Sequence, residues 1–163
     1  MPQVTLDALI PAATAGSVFD LLRDFAAYPK YTDAVREVIV TDTGSDTIDS
    51  QWSVNFRNGV LCWTERDIID AEALTIDFTQ TDGDFDTFSG SWNVIQDDEA
   101  TTVRFTATFD LGMPSLAALI DPIACDALLE AITLILRGLL GEHITLTVPE
   151  PAQAGAAVTG SQP

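Results

Sequence analysis

Alternating apolar and polar residues dominate the middle of the chain. In residues 37–109 several segments carry an apolar side chain at every second position, which is the period of a half-buried β-strand. In TIDSQWSVNF, one face carries Ile48, Ser50, Trp52, Val54 and Phe56. The RNG that follows, residues 57–59, is a strong hairpin signal. The pattern predicts an antiparallel meander of about six strands with one apolar and one polar face.

The segments on either side of the meander predict one further strand and several helices. QVTLDALI alternates as a strand that ends at Pro11, residues 14–29 have helical spacing, and residues 30–35 form a second short helical turn. Residues 123–140 predict a long helix, with Asp121 as N-cap, Pro122 at the first position and Gly141 as C-terminal cap. This order indicates an α+β domain over residues 1–147, in which a curved sheet encloses a cavity against the closing helix. Residues 148–163 have the composition of a flexible tail.

Charge restricts the partners that the chain can bind. The 163 residues include 25 acidic and seven basic side chains, for a net charge of −18. Nucleic acids and anionic membranes are disfavoured, since both are bound through Lys and Arg. Charged residues and Pro122 interrupt the most apolar segment, residues 116–140, so no membrane span is predicted. The N-terminus has no basic region followed by an apolar core, so we expect a cytoplasmic protein, either monomer or homodimer.

The residue types that bind metals or cofactors are sparse. His143 is the single histidine, and Cys62 and Cys125 are not spaced as metal ligands. No glycine-rich phosphate loop and no nucleophile elbow is present. We therefore expect neither a metal nor a cofactor.

Four segments in order resemble the START-like helix-grip superfamily. They are SVFDLLRDFAAYPKY after the first strand, WTERDI in a middle strand, FSGSWNV in the next-to-last strand, and the closing helix. The superfamily includes birch-pollen-allergen-type proteins, coenzyme Q-binding proteins and bacterial polyketide aromatase/cyclases. The resemblance covers about residues 3–142 and implies about seven strands wrapped around the last helix, with two short helices after the first strand.

The resemblance to aromatase/cyclases also implies roles for particular residues. Their strand motif Trp-x-Ser-Glu-Arg places its arginine in the cavity, where it is thought to stabilise an enolate. CWTERD is similar, so Arg66 is the implied catalytic arginine, with Cys62 and Thr64 beside it and Trp63 and Glu65 facing outward. Such cyclases often carry a tyrosine after the second helical turn, and Val35 lies nearest that position. Tyr28 and Tyr31 lie nearby in the sequence and are the candidate proton-transfer groups.

Two questions remain open from the sequence. Alternation alone allows Arg66 to be either a surface charge or a cavity residue, because both faces of its strand carry apolar side chains; the resemblance favours the cavity. The protein is then either a polyketide cyclase or aromatase acting on a poly-β-ketone, or a non-catalytic carrier of a quinone, lipid or aromatic metabolite. In either case the candidate ligand-contacting aromatic residues are Trp52, Phe56, Phe88 and Trp92.

The few basic residues predict where a protein partner would bind. Acyl-carrier proteins are acidic, so a chain of this charge should repel them except at a basic surface. Arg23, Lys30 and Arg36 form the only basic cluster in the sequence, around the first helices. We expect any acyl-carrier protein to dock there, near the mouth of the cavity.

Overall fold

The computed structural model describes residues 2–149 apart from residues 43, 45 and 58. It is an α+β fold in which one curved, eight-stranded antiparallel sheet wraps a long C-terminal helix, as predicted, with one strand more than expected. The strands run in the order β2-β3-β4-β5-β6-β7-β1-β8. Their bounds are β1 Gln3–Pro11, β2 Val35–Asp42, β3 Thr47–Phe56, β4 Gly59–Asp70, β5 Thr75–Gly83, β6 Thr87–Asp97, β7 Ala100–Asp110 and β8 Thr145–Thr147. Most of the predicted tail, residues 150–163, lies outside the described residues.

The first and last long strands join to complete the core face of the sheet. β1 pairs with β7 along its whole length, from Gln3 opposite Thr108 to Pro11 opposite Ala100. Alternate residues of both strands are buried on the concave side: Val4, Leu6, Ala8 and Ile10, and Val103, Phe105, Ala107 and Phe109. Because successive side chains of a strand point to opposite faces, the period-two pattern of the sequence places these residues against the helix.

Two short helices link β1 to β2, as the sequence predicts. α1 spans Ala15–Arg23, and its N-cap residue Thr14 accepts a hydrogen bond from the backbone N–H of Ser17. A short 3₁₀ turn leads into α2, Tyr28–Tyr31. α1 buries Phe19 in the core, whereas Leu21 is exposed.

The long helix α3 begins earlier than predicted. It spans Ala117–Leu140 after a 3₁₀ turn, so Asp121 is not its N-cap and Pro122 lies inside it. Proline removes one helical hydrogen bond but tolerates helical φ, and the apolar residues before it continue the helix in the N-terminal direction. The first turns are exposed at Leu119 and Ile123, whereas the later turns pack on the sheet. No described helix is long and apolar enough to cross a membrane.

Gly138 fixes how closely α3 approaches α2. A Cβ atom at this position would overlap the backbone oxygen of Tyr31 and crowd Thr32. Glycine therefore lets the two helix backbones touch. The contact holds α2, and with it Tyr28, between α3 and the sheet.

Candidate functional site

A cavity lies between the concave face of the sheet and the middle of α3. Its walls are largely aromatic, with Leu128, Ala131, Ile132 and Ile135 contributed by α3. The aromatic lining consists of Tyr28, Trp52, Phe56, Trp63, Phe78, Phe85, Phe88, Trp92 and Phe105. The volume that water can reach is about 40 Å³, enough for a few water molecules. A ligand of several rings must therefore displace some of these side chains.

Ring contacts organise the wall around two tryptophans. Trp52 and Trp63 are directly opposite on β3 and β4 and stack with ring centroids 5.9 Å apart and planes 5° apart. Tyr28 meets Trp52 edge to face at 5.4 Å, and Phe88 meets Trp63 in the same way at 5.4 Å. Such pairs favour defined ring orientations. The wall is thus a connected cluster of aromatic rings in mutual contact.

The structure places four of the predicted ligand-contacting residues on this wall. Trp52, Phe88 and Trp92 are buried and line the cavity, and Phe56 lines it while half-buried. The alternation of β3 and β6 accounts for their shared orientation. Their contact with a ligand stays a prediction.

The predicted cavity face of β4 is wrong. Its inward side chains are Leu61, Trp63, Glu65, Asp67 and Ile69, while Cys62, Thr64 and Arg66 face outward. In the motif Trp-x-Ser-Glu-Arg the tryptophan and arginine are four residues apart, an even number that keeps both on one face. Trp63 and Arg66 are three apart, so they face opposite sides of the sheet. With Trp63 inside, Arg66 cannot reach the cavity.

Arg66 is instead part of a surface ion pair. Its side chain is 53% exposed, and its Nε and a terminal nitrogen donate to Asp49 at 2.9 and 3.2 Å. The guanidinium holds the pKa of Asp49 below its ordinary value. Cys62 is exposed on the same outer surface. Neither residue contributes to the aromatic wall.

Two buried carboxyl groups occupy the inner face of β4. Glu65 is 3% exposed and Asp67 is fully buried, and Glu65 is the only acid among the described residues that line the cavity. The indole Nε1 of Trp63 donates to Glu65 Oε1 at 2.7 Å, and Ser50 Oγ donates to Asp67 Oδ2 at 2.5 Å. Ser50 in turn accepts from Trp52 Nε1 at 2.7 Å. Both tryptophans therefore help to hold the acids in place.

The two carboxyl groups act as a coupled pair. Burial raises the pKa of Glu65 well above its ordinary value, and the hydrogen bond and negative charge of Asp67 raise it further. Burial also raises the pKa of Asp67, while hydrogen bonds from Glu65 and Ser50 oppose that shift. Two adjacent buried carboxylates cannot both ionise without large cost, so the pair retains a proton, mainly on Glu65. Sequence reasoning missed this pair because it assigned Glu65 to the outer face.

The predicted tyrosines differ sharply in position. Tyr28 is completely buried on the cavity wall, and its hydroxyl donates to the backbone oxygen of Leu22 at 2.6 Å. Burial and the nearby acids raise its pKa well above the ordinary value. Tyr31 is 47% exposed and does not line the cavity. Tyr28 therefore offers its ring to the cavity while its hydroxyl proton is already engaged, and Tyr31 is not brought to the site.

Gln80 extends the polar region next to Glu65. The two residues are cross-strand partners, at a register shift where β5 contains one extra residue. Gln80 shares its face with Phe78, which lines the cavity. Its Nε2 donates to the backbone oxygen of Phe85 at 2.9 Å, while its buried Oε1 has no hydrogen-bond partner. An unsatisfied acceptor therefore lies beside the acid pair.

The cavity wall is more exposed near the β3–β4 hairpin than around Tyr28. Phe56 and Leu61, at the hairpin end of the wall, are half-buried, whereas Tyr28 at the other side is fully enclosed. Arg57 in the turn bonds Glu130 of α3 at 2.7 Å, which ties the hairpin to the helix. Because both side chains of this pair are well exposed, the tie is weak. The hairpin and α3 thus form a loosely closed rim.

The predicted basic cluster is exposed. Among the described residues no acid forms an ion pair with Arg23, Lys30 or Arg36, whereas the other four basic side chains each have an acidic partner. Arg36 enters β2 beside Val54 and Ser53 of β3, the strand that ends at the rim residue Phe56. These three cations are therefore free to meet an acidic partner.

The chain matches a protein-family model over residues 11–133. That family is described as polyketide cyclase / dehydrase and lipid transport. No match was found among curated proteins.

Solved structures share the whole architecture. The protein TTHA0849 from Thermus thermophilus is 27% identical with a TM-score of 0.78, over 85% of this chain and 94% of that one. The Zhui aromatase/cyclase from a Streptomyces species, R1128, is 19% identical with a TM-score of 0.70, over 86% and 93%. A START superfamily protein from Mycobacterium smegmatis is 17% identical with a TM-score of 0.72, over 85% and 96%. The predicted resemblance to START-like proteins is confirmed at the level of the fold.

Proposed function

We propose that this chain, which belongs to the polyketide cyclase / dehydrase and lipid transport family, binds a flat carbonyl compound of the polyketide type in its cavity and promotes its cyclisation and dehydration. The observation that carries the proposal is the buried Glu65 on an otherwise apolar wall, where burial raises the pKa of its carboxyl group. A carboxyl group kept neutral by burial can donate to a carbonyl oxygen at neutral pH. This role replaces the one expected of Arg66, which faces away from the cavity.

Binding supplies the first part of the catalysis. Flat walls formed by Trp52, Trp63 and Phe88 restrict a flexible chain to few conformations, which brings its reacting carbons together. Water is largely excluded, so a hydrogen bond from Glu65 to a developing enol oxygen is stronger than it would be in solvent.

The acid pair supplies the proton transfers. In a dehydration, the pair gives its proton to the departing hydroxyl, the C–O bond breaks, and water leaves. The electrons of the neighbouring C–H bond form the new double bond, and the pair takes up the proton from that carbon. Asp67, which accepts a hydrogen bond from Ser50, is the second member of the pair and lies within reach of the Glu65 carboxyl.

A pair of single substitutions on β4 tests the proposal. We expect Glu65→Gln to lower the turnover of a linear poly-β-ketone mimic by about 100-fold or more, with affinity for the cyclised product retained. Arg66→Ala, one residue away on the outer face, should leave turnover within about twofold. Loss of turnover in Arg66→Ala with normal turnover in Glu65→Gln would reverse the assignment.

A second function is favoured by one observation, the small free volume of the cavity. A carrier protein only has to enclose a hydrophobic molecule and needs no space in which groups of the ligand react. The aromatic side chains can move apart to admit such a ligand. We propose transport of a quinone, lipid or aromatic metabolite as the alternative. Tight binding of such a ligand, with no turnover of poly-β-ketones by the unmodified protein, would support it over the cyclase.

We also propose that an acyl-carrier protein, if it delivers the substrate, docks on Arg23, Lys30 and Arg36. The support is that these exposed cations lack acidic partners within the described chain, while the remaining surface is strongly acidic. Reversing all three charges should abolish carrier binding measured by calorimetry at low salt. Reversing Arg104, which is paired with Asp7, serves as the control. Unchanged binding in the triple variant would exclude this docking site.

A further inference from the structure

The two edges of the sheet differ in how they are protected. β8, at one edge, has only the residues Thr145–Thr147, and Pro149 follows it closely. β2, at the other edge, spans Val35–Asp42, contains no proline or lysine, and pairs only with β3 within the described chain. Short strands, prolines and lysines are usual means by which proteins keep a sheet edge from pairing. β8 is protected in this way, and β2 is not.

β2 presents backbone pairing groups and apolar side chains to solvent. Alternate residues of an edge strand direct their N–H and C=O groups away from the neighbouring strand. Ile39 is 49% exposed and Val40 is 37% exposed, and as successive residues they lie on opposite faces of the sheet. Residues 37–42 pair with β3 in regular register, and the one register shift of this pair lies before Glu37. The exposed part of β2 therefore keeps the geometry of a strand that can accept a neighbour.

We propose that β2 pairs with β2 of a second copy of this chain, antiparallel and about a twofold axis at Ile39. This inference goes beyond the proposed function and does not depend on it. The two sheets would join edge to edge, through the same surface of each chain. In this register Ile39 meets the partner's Ile39 on the outer face, and Val40 meets the partner's Val38 on the inner face.

Charge favours this register over its neighbours. Directly opposite residues of a continuous sheet point to the same face, so the axis must pass through a residue and not between two. An axis at Ile39 places Arg36 opposite the partner's Asp42, twice in the dimer. An axis at Val38 or Val40 gives neither charge an opposite one.

Arg36 and Asp42 are both available for such a contact. Both side chains are exposed, and neither forms an ion pair within the described chain. They cannot pair with each other, because their positions on one strand are about 20 Å apart. A second copy in the proposed register supplies the missing partner to both residues.

The small size of the interface limits the expected affinity. Residues 36–42 of each chain form it, which is at the lower limit of specific interfaces, so we expect a dissociation constant of about 100 μM. The net charge of −18 opposes the association of two copies, and salt screens that repulsion. The dimer should therefore form at high protein concentration and moderate salt.

Arg36 also belongs to the basic cluster proposed for an acyl-carrier protein. Pairing with the partner's Asp42 would leave Arg23 and Lys30 for that role. Asp42 lies outside the cluster, so Asp42→Arg should weaken the dimer while the cluster stays intact. This substitution separates the two proposals.

Charge reversals at the two positions test the pairing. Sedimentation velocity is measured up to about 500 μM protein in ~0.15 M salt. We expect Arg36→Asp and Asp42→Arg each to weaken dimerisation by about tenfold or more, because each creates two like-charge contacts in the dimer. The double variant exchanges the charges and should restore dimerisation. Asp77→Arg on β5, a strand paired on both sides, makes the same change of net charge as Asp42→Arg and should not weaken the dimer.

A mixture of the two single variants gives a positive test. In either variant alone, both charge contacts of a dimer join like charges. A dimer with one chain of each kind has opposite charges at both contacts. An equimolar mixture should therefore dimerise at a total concentration where neither variant does so alone. Circular dichroism of each variant verifies that it is folded.

Three results would overturn the inference. The unmodified protein could remain monomeric at the highest concentration, or it could form a dimer that neither charge reversal weakens. The mixture of single variants could also fail to dimerise although both are folded. None of these results bears on the cavity, so the proposed function stands or falls separately.

Discussion

The two faces of β4 place their charged side chains in different environments, one exposed to solvent and one buried. On the outer face Arg66 and Asp49 form an ion pair whose side chains are 53% and 29% exposed. On the inner face Glu65 and Asp67 are buried, have raised pKa values and accept hydrogen bonds from Trp63 and Ser50. Neighbouring residues of one strand thus lie in water on one side and in an apolar cavity on the other.

The difference shows where function is to be sought in this molecule. A solvated ion pair contributes little to stability and changes the chemistry of its groups only slightly. A buried acid is costly to keep, and its altered proton affinity is what acid–base chemistry requires. The charge most conspicuous in the sequence, Arg66, is therefore less informative than the two acids on either side of it.

The largest expected difference in stability is between substitutions of the two adjacent isoleucines of β4. Ile69 is 6% exposed on the inner face, and Ile68 is 54% exposed on the outer face. We expect Ile69→Ala to lower the free energy of unfolding by about 3 kcal/mol, because it leaves a cavity in the core. Ile68→Ala should cost less than about 1 kcal/mol. Urea titration of both variants gives the comparison, and equal losses would show that the two faces have been assigned incorrectly.

A smaller effect on the free energy of unfolding is expected from the titration of Glu65. Its folded pKa is raised, so above the ordinary carboxyl pKa the unfolded chain releases a proton that the folded protein keeps. This contribution is complete at low pH. It declines as pH rises toward the folded pKa, by at most about 1.4 kcal/mol per pH unit.

Glu65→Gln isolates that contribution from the many other acids. Unfolding free energies of the unmodified protein and the variant, measured between pH 5 and 8, should differ by an amount that changes with pH. A difference that stays constant across this range would mean that Glu65 titrates normally.

The smallest effect on stability is expected from a substitution on the outer face of β4. Arg66→Ala removes a solvated partner of Asp49, so the midpoint of thermal unfolding should hardly move, at low salt or at high salt. The pKa of Asp49, followed by NMR titration, should rise toward its ordinary value because the guanidinium no longer lowers it. A marked loss of stability would indicate that the outer pair has a structural role after all.

The order of the strands and helices was predictable because the apolar residues of each element repeat with the period of a strand or of a helix. The alternation of β3 placed Ser50, Trp52 and Val54 together, and these residues do face inward. The face of β4 was also within reach of the sequence. Pairing of Phe56 with Gly59 across the hairpin places Trp63 opposite Trp52 and Glu65 opposite Ser50, and cross-strand partners share a face. The resemblance to an arginine motif with a different spacing points to the opposite face of the strand.

Other features depend on tertiary contacts that no local pattern contains. The start of α3 was misplaced because an N-cap and proline signal at Asp121–Pro122 competes with the apolar residues before it. The raised pKa values of Glu65 and Asp67 come mainly from burial in the folded protein. The unpaired oxygen of Gln80 becomes visible only when the backbone of Phe85 occupies the other end of the amide.

The alternation of β4 also bears on how such cavities change during evolution. Exchanging the residues at 66 and 67 would place a guanidinium among the aromatic rings and a carboxylate in solvent, with the same composition, net charge and hairpin. The surrounding scaffold need not alter for one of the two interior acids to be replaced by a base. Proteins that share this architecture can therefore diverge in the reactions they support through a transposition of neighbours, long before their overall folds diverge.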